Sequence, residues 1–164
     1  MLTTHNSSYS LFLKFLVCHK QLSVHYHSHL KHPVLNIRSV CNKAVAVNDI
    51  FFDHQLDVLA LTETWHEELS DTCLTTIIPL GGSIVEQARP ISRKAATSDS
   101  FVNHGGIACL AWNGIRMTKV NLPHKPVSFE VLCVQLRSGN STSTSILSII
   151  YRPGSKSREC EIFL

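Results

Sequence analysis

Residues 34–37, 58–61, 107–112, 131–136 and 146–151 form short apolar runs rich in β-branched residues, with Asp, Gly, Pro or Ser at their borders. Runs this short carry no helical period and read as strands buried on both faces. Between the first two, Val40, Ala44, Val47, Ile50 and Phe51 recur at spacings of three and four, which lines one face of a helix. Ser39 is its expected N-cap, with Pro33 safely outside. Leu74, Ile77 and Ile78 predict a shorter helix, capped by Ser70 or Asp71 and stopped by Pro79 with Gly81 and Gly82. The chain therefore opens strand–helix–strand–helix and continues as successive strands joined by polar loops. That order predicts an α/β or α+β domain of packed sheets with helices outside. Glu86 to His104, containing Arg89, Arg93 and Lys94, reads as one long polar loop, and residues 138–145 as another polar connection.

A chain of 164 residues supports one domain with a real core. With 44% hydrophobic and 16% charged residues, its composition is that of a globular chain and excludes a disordered one. The net charge of +3 and pI near 8.6 are compatible with a polyanionic partner and too mild to imply one. Six cysteines are scattered singly with no C-x-x-C pair, against both a disulfide framework and a zinc site. Three of them lie inside or beside apolar runs and read as small core hydrophobes; the setting expected is reducing and intracellular, nucleus or cytoplasm, with no disulfide-linked partner. No run approaches the roughly eighteen apolar residues of a membrane span. Residues 11–18 are short, carry Lys14 and lack the flanks of a signal peptide, so no membrane association is expected.

Residues 1–32 differ from the rest. A Ser/Thr-rich start and the run 11–18 precede His19, His25, His27, His29 and His32. Alternating histidines share one face of a strand, but no acid stands near them and no cysteine lies among His25, His27 and His29, so they read as a solvated tail. Residues 1–32 are thus expected to be a poorly ordered leader, with the domain spanning 33–164.

The chemistry sits at strand ends. Asn36 closes the first strand in Leu35-Asn36-Ile37-Arg38-Ser39, Glu63 follows the second in Leu61-Thr62-Glu63-Thr64-Trp65, and Tyr151 ends the last in Ile150-Tyr151-Arg152-Pro153-Gly154. Layered α/β enzymes place their sites at such ends. An amide, a carboxylate and a phenol suit a divalent cation and a phosphate ester. Read singly, each has a plainer explanation: a strand-end cap for Asn36, a surface acid for Glu63, an amphipathic core-edge ring for Tyr151. Trp65 and Trp112 read as core or rim packing, and His66, His104 and His124 as surface loop histidines.

The segments LNIRSVCNKAVAVNDIFFDHQLDVLALTETW, IPLGG, GGIACL, SFEVLCVQL and SILSIIYRPG, in this order and spacing, resemble the endonuclease/exonuclease/phosphatase superfamily, and within it the apurinic-endonuclease-like domain of LINE-type non-LTR retrotransposons. The resemblance covers about residues 33–157. It implies that Glu63 ligates Mg²⁺ (or Mn²⁺ in its place), that Asn36 orients the metal shell or the phosphate, and that Tyr151 contacts the scissile phosphate. Arg38 and Arg152 would then meet the DNA backbone through guanidinium–phosphate pairs. The activity implied is Mg²⁺-dependent nicking of target DNA by phosphodiester hydrolysis, leaving a 3′-hydroxyl that primes reverse transcription.

The chain departs from the family pattern in two places. No G-D-x-N or S-D-H motif follows Tyr151, and the glycine-rich turn before the middle strand reads Asn103-His104-Gly105-Gly106-Ile107. The expectation is therefore the N-terminal part of a four-layer α/β/β/α sandwich whose C-terminal half is missing. Its metal site is expected to be incomplete, the isolated chain inactive, and an apolar inner sheet face uncovered, with marginal stability. Two alternatives stay open: a non-catalytic remnant with at most weak nucleic-acid binding, and another phosphoesterase of the superfamily.

Overall fold

The structure is a computed structural model that describes residues 30–68, 70–89, 104–139, 141 and 144–152. Its elements are β1 Val34–Asn36, α1 Ala44–Asp53, β2 Val58–Thr62, α2 Thr72–Thr75, β3 Ser83–Gln87, β4 Ile107–Ala111, β5 Ile115–Val120, β6 Glu130–Ser138 and β7 Ser145–Tyr151. One sheet runs in the order β1-β2-β4-β3 and the other in the order β5-β6-β7. β1 and β2 are parallel, as the helical crossover α1 between them allows, and every other pair is antiparallel.

The pleat of the two central strands builds the layers. Every residue of β2 and β4 is buried. Leu59, Leu61, Ala108 and Leu110 point to one side, against Val47 and Phe51 of α1 and Leu74 of α2. Val58, Ala60, Ile107, Cys109 and Ala111 point to the other, against Leu132, Val134 and Leu136 of β6 and Leu147 and Ile149 of β7. The result is a mixed α/β fold layered helices–sheet–sheet. An uncovered inner sheet face was the expectation; instead the β5-β6-β7 sheet covers it, because β6 and β7 aim their alternate apolar residues at it. Among the described residues no helix lies over the far side of that second sheet. None is long and apolar enough to cross a membrane.

Several expectations need correction. Burial on both faces holds for β2 and β4, whereas β1 buries none of its residues fully, β7 buries Leu147 and Ile149 alternately, and β6 buries Leu132, Val134 and Leu136 on its inner face with Cys133 besides. The expected loop from Glu86 to His104 begins inside β3, with residues 90–103 outside the described part. β5 went unread because its residues alternate between exposed and half-buried. The first helix is capped at Lys43 rather than Ser39, since residues 37–40 are held to the segment after β2. Lys43 folds back, and its Nζ donates to the carbonyls of Ile37 and, at 2.8 Å, Arg38. Asp71 does cap α2, accepting from the Cys73 amide at 2.8 Å.

Cys41 and Cys73 form a disulfide, contrary to the expectation of scattered, unpaired cysteines in a reducing setting. The partners stand 32 residues apart in sequence, a separation at which spacing signals nothing. Cys109 and Cys133 are free and buried. Cys18 and Cys160, and the leader as far as residue 29, lie outside the described residues. Contacts begin before the boundary expected at Pro33: Lys31 accepts from the amides of Asp57 and Val58, and its own amide donates to the Asp57 carboxylate at 2.8 Å.

Candidate active site at the strand ends

The parallel register pairs Asn36 with Thr62, so Asn36 and Glu63 leave the sheet at the same end. Beyond that end the backbone is irregular. Arg38, Ser39, Glu63 and Trp65 all have positive φ, at 48°, 80°, 56° and 57°. Each such residue costs on the order of 1–3 kcal/mol and persists only where its surroundings over-determine it. Here they do. The amides of Ile37, Ser39 and Val40 donate to the carbonyls of Thr62, Glu63 and Thr64 at 3.0, 2.7 and 3.0 Å. On the opposite edge the amides of Thr64 and Trp65 donate to Gly106 and Gly105 at 3.2 and 2.7 Å. The segment carrying Glu63 is thus held from both sides.

Tyr151 reaches the same place from the other sheet. Its hydroxyl donates to Glu63 Oε1 at 2.5 Å. In the β6–β7 register Tyr151 stands opposite Glu130. Glu130 accepts from Arg89 Nε at 2.6 Å through one oxygen and from the Gly106 amide at 2.6 Å through the other. The Arg89 guanidinium also lies 5.9 Å from the centre of the Tyr151 ring. Burial pushes the phenol up to about 12, helped by the hydrogen bond to Glu63, by the Glu63 charge and by Glu130, with Arg89 pulling the other way. Tyr151 is therefore a neutral donor across the physiological range.

Two glycines stand beside this cluster. A Cβ on Gly105 would lie 2.1 Å from Arg89 Nε and would displace that side chain. Gly106, at φ +96°, would place one 2.5 Å from Thr64 Oγ1. The Gly105–Gly106 pair thus lets the strand lead-in pass against the residues it hydrogen-bonds.

The hydrogen bond joins Glu63 and Tyr151. Asn36 shares their end of the sheet but is exposed, and among the described residues its side chain bonds to neither. Arg38 is exposed on the loop beside Glu63, and Arg152, half-buried, follows Tyr151. His66 is a correction: it is fully buried, not on a surface loop, because Thr64 and Glu86 engage both its ring nitrogens. His104 and His124 are exposed, and His104 meets the half-buried Trp65 edge-on at 4.4 Å. Trp112 packs against Phe51 and Phe52. Arg89, Glu130, Glu86 and His66 went unread as site residues. Glu130 had one local signal, an acid at the entrance of an apolar run, and the others had none.

Among the described residues no three His, Cys, Asp or Glu side chains converge as a metal cage. The donor set, one carboxylate and an exposed amide at the same strand end, fits a cation that keeps most of its waters. Mg²⁺ binds in that manner, through one or two carboxylates plus substrate oxygens, whereas Zn²⁺ and Ca²⁺ require fuller protein coordination.

No family model matches this sequence, and no curated protein does. Among solved structures, the human Nocturnin catalytic domain with bound sulfate anion is similar at a TM-score of 0.45 and 15% identity, over 71% of this chain. The chain spans 48% of that domain, about half its length.

Proposed function

We propose that this chain carries part of a divalent-metal phosphodiesterase site of the endonuclease/exonuclease/phosphatase type, acting on DNA. The observation that carries the reading is the Tyr151–Glu63 hydrogen bond, which brings the ends of two strands from different sheets to one point. The motifs around Asn36, Glu63 and Tyr151 support it further through their resemblance to the LINE-type endonuclease domain.

In this reading Glu63, with Asn36 at the same strand end, would hold Mg²⁺, whose charge when bound would polarise a phosphodiester oxygen. Tyr151 keeps its proton and, with Glu63 turned to the cation, would redirect that one hydrogen bond from the carboxylate to a phosphoryl oxygen as negative charge builds there. Arg38 and Arg152 flank the point and bind backbone phosphates. Among the described residues no further acid or histidine is hydrogen-bonded to Glu63 or Tyr151, so this reading assigns the described site the positioning of metal and phosphate.

The test pairs metal binding with nicking. Mn²⁺ should broaden the amide resonances of residues 36 and 63, and Glu63→Ala should abolish the effect. Supercoiled plasmid in Mg²⁺ should be nicked no faster than background. Broadening centred elsewhere, or undiminished in Glu63→Ala, would remove the basis for the site. The sparse ligand set also favours a second reading, a non-catalytic chain that binds DNA weakly. Salt-dependent DNA binding that is indifferent to Glu63 and Mn²⁺ would select it.

A further inference from the structure

We propose that His66 is a positioning residue: with Thr64 and Glu86 it forms a buried clamp that sets the backbone of residues 63–65 and so delivers the Glu63 carboxylate to Tyr151. The inference deepens the reading of Glu63 as the metal-binding acid, and its own content is the placement of that carboxylate.

The clamp is built from three side chains. His66 and Thr64 are wholly buried. His66 Nδ1 lies 2.6 Å from Thr64 Oγ1, and Nε2 lies 2.9 Å from Glu86 Oε2. A carboxylate can only accept, so Nε2 carries a proton and donates it to Glu86, while Nδ1 shares the second hydrogen bond with the Thr64 hydroxyl. Glu86 belongs to β3, where it pairs with Ala108 of β4. The ring therefore ties the loop after β2 to a strand two places away in the same sheet. The anchor is itself fixed: the Glu86 carbonyl accepts from Lys119 Nζ of β5 at 2.6 Å. Gly106 opens the space, since a Cβ there would stand 3.0 Å from the His66 ring as well as against Thr64.

Placement makes the clamp matter. Thr64 lies between Glu63 and Trp65, both in left-handed conformations that an unrestrained L-residue leaves readily. Backbone hydrogen bonds fix the edges of this segment, and the Thr64 side chain, locked by His66, fixes its rotation. Relaxation of Glu63 toward negative φ would swing its side chain away from the end of β7. A histidine that merely fills the core would lower stability on removal and leave the Glu63–Tyr151 bond intact.

The experiment reads that bond directly. In the full chain labelled with ¹³C at the tyrosine ζ carbon, Tyr151 is assigned by its loss in Tyr151→Phe, in metal-free buffer at neutral pH. Glu63→Ala defines the shift without the bond. His66→Ala, Glu86→Ala and Thr64→Val are expected to move the Tyr151 signal most of the way to that value, and Glu86→Gln, which keeps an acceptor, to stay near wild type. Folding of each variant is checked by amide exchange in β2 and β4. If His66→Ala does not fold, Thr64→Val and the Glu86 pair decide. A wild-type Tyr151 shift in folded Thr64→Val and Glu86→Ala, or equal effects of Glu86→Ala and Glu86→Gln, would overturn the proposal. Because no metal is present, loss of Mn²⁺ binding with the clamp effects intact would count against the metal reading alone.

Discussion

The hydroxyl of Tyr151, at the end of β7, donates to the Glu63 carboxylate just past β2 at 2.5 Å, joining two sheets across 88 positions of sequence. The bond ties the electrostatics of the site to its architecture. Anything that shifts one sheet against the other, or lets the loop after β2 relax, separates the two groups.

The phenol should titrate late. Ultraviolet difference titration near 295 nm, with Tyr151→Phe as reference, should place Tyr151 at about 12, against 10.0 for an unperturbed tyrosine. Glu63→Gln should lower it, by removing the charge. Between those values the folded chain keeps a proton that the unfolded chain has lost, so raising the pH removes stability. The contribution is fully present below pH 10 and is lost as pH climbs through about 12. A Tyr151 that ionises together with the other tyrosines would contradict this.

Gly106→Ala should be costly. It forces a side chain into φ +96° and within 2.5 Å of Thr64 Oγ1. The backbone conformation alone costs roughly 1–3 kcal/mol, and the clash adds to it. Gly114, also at φ +96°, has open space around it and should show the backbone cost alone when changed to alanine. Urea midpoints of the two variants would separate strain from contact, and equal midpoints would refute the crowding at Gly106.

The disulfide should be a major staple. Closing the 32-residue separation between Cys41 and Cys73 restricts the unfolded chain by about 3–4 kcal/mol in the loop-entropy account. It also ties the segment after β1 to α2. Reduction, or the Cys41→Ser/Cys73→Ser double variant, should lower the urea midpoint accordingly. A chain equally stable with and without reductant would show that the bond contributes nothing.

The core should respond by layer. Leu61 is fully buried on the helix side of β2, and Leu61→Ala should cost about 2–5 kcal/mol. Val45 on α1 is 74% exposed, and Val45→Ala should stay within about 0.5 kcal/mol. Comparable losses at both positions would mean that α1 packs through a different face.

Local pattern in the chain determined the strands with apolar runs, the helical crossover after β1 and the Asp71 cap, because periodicity and capping act over a few residues. It also marked Asn36, Glu63 and Tyr151 as polar groups at strand ends. Tertiary structure alone decided what meets what. β3 and β5 were missed because polar residues (Ser83, Glu86 and Gln87; Arg116, Thr118 and Lys119) interrupt them and leave no apolar run. The Cys41–Cys73 bond, the Arg89–Glu130 pair and the burial of His66 are contacts between segments far apart in sequence, and no local pattern encodes them. The bond between Glu63 and Tyr151 is of that kind too: sequence could supply the acid and the phenol, but only the packing of one sheet on the other sets them 2.5 Å apart.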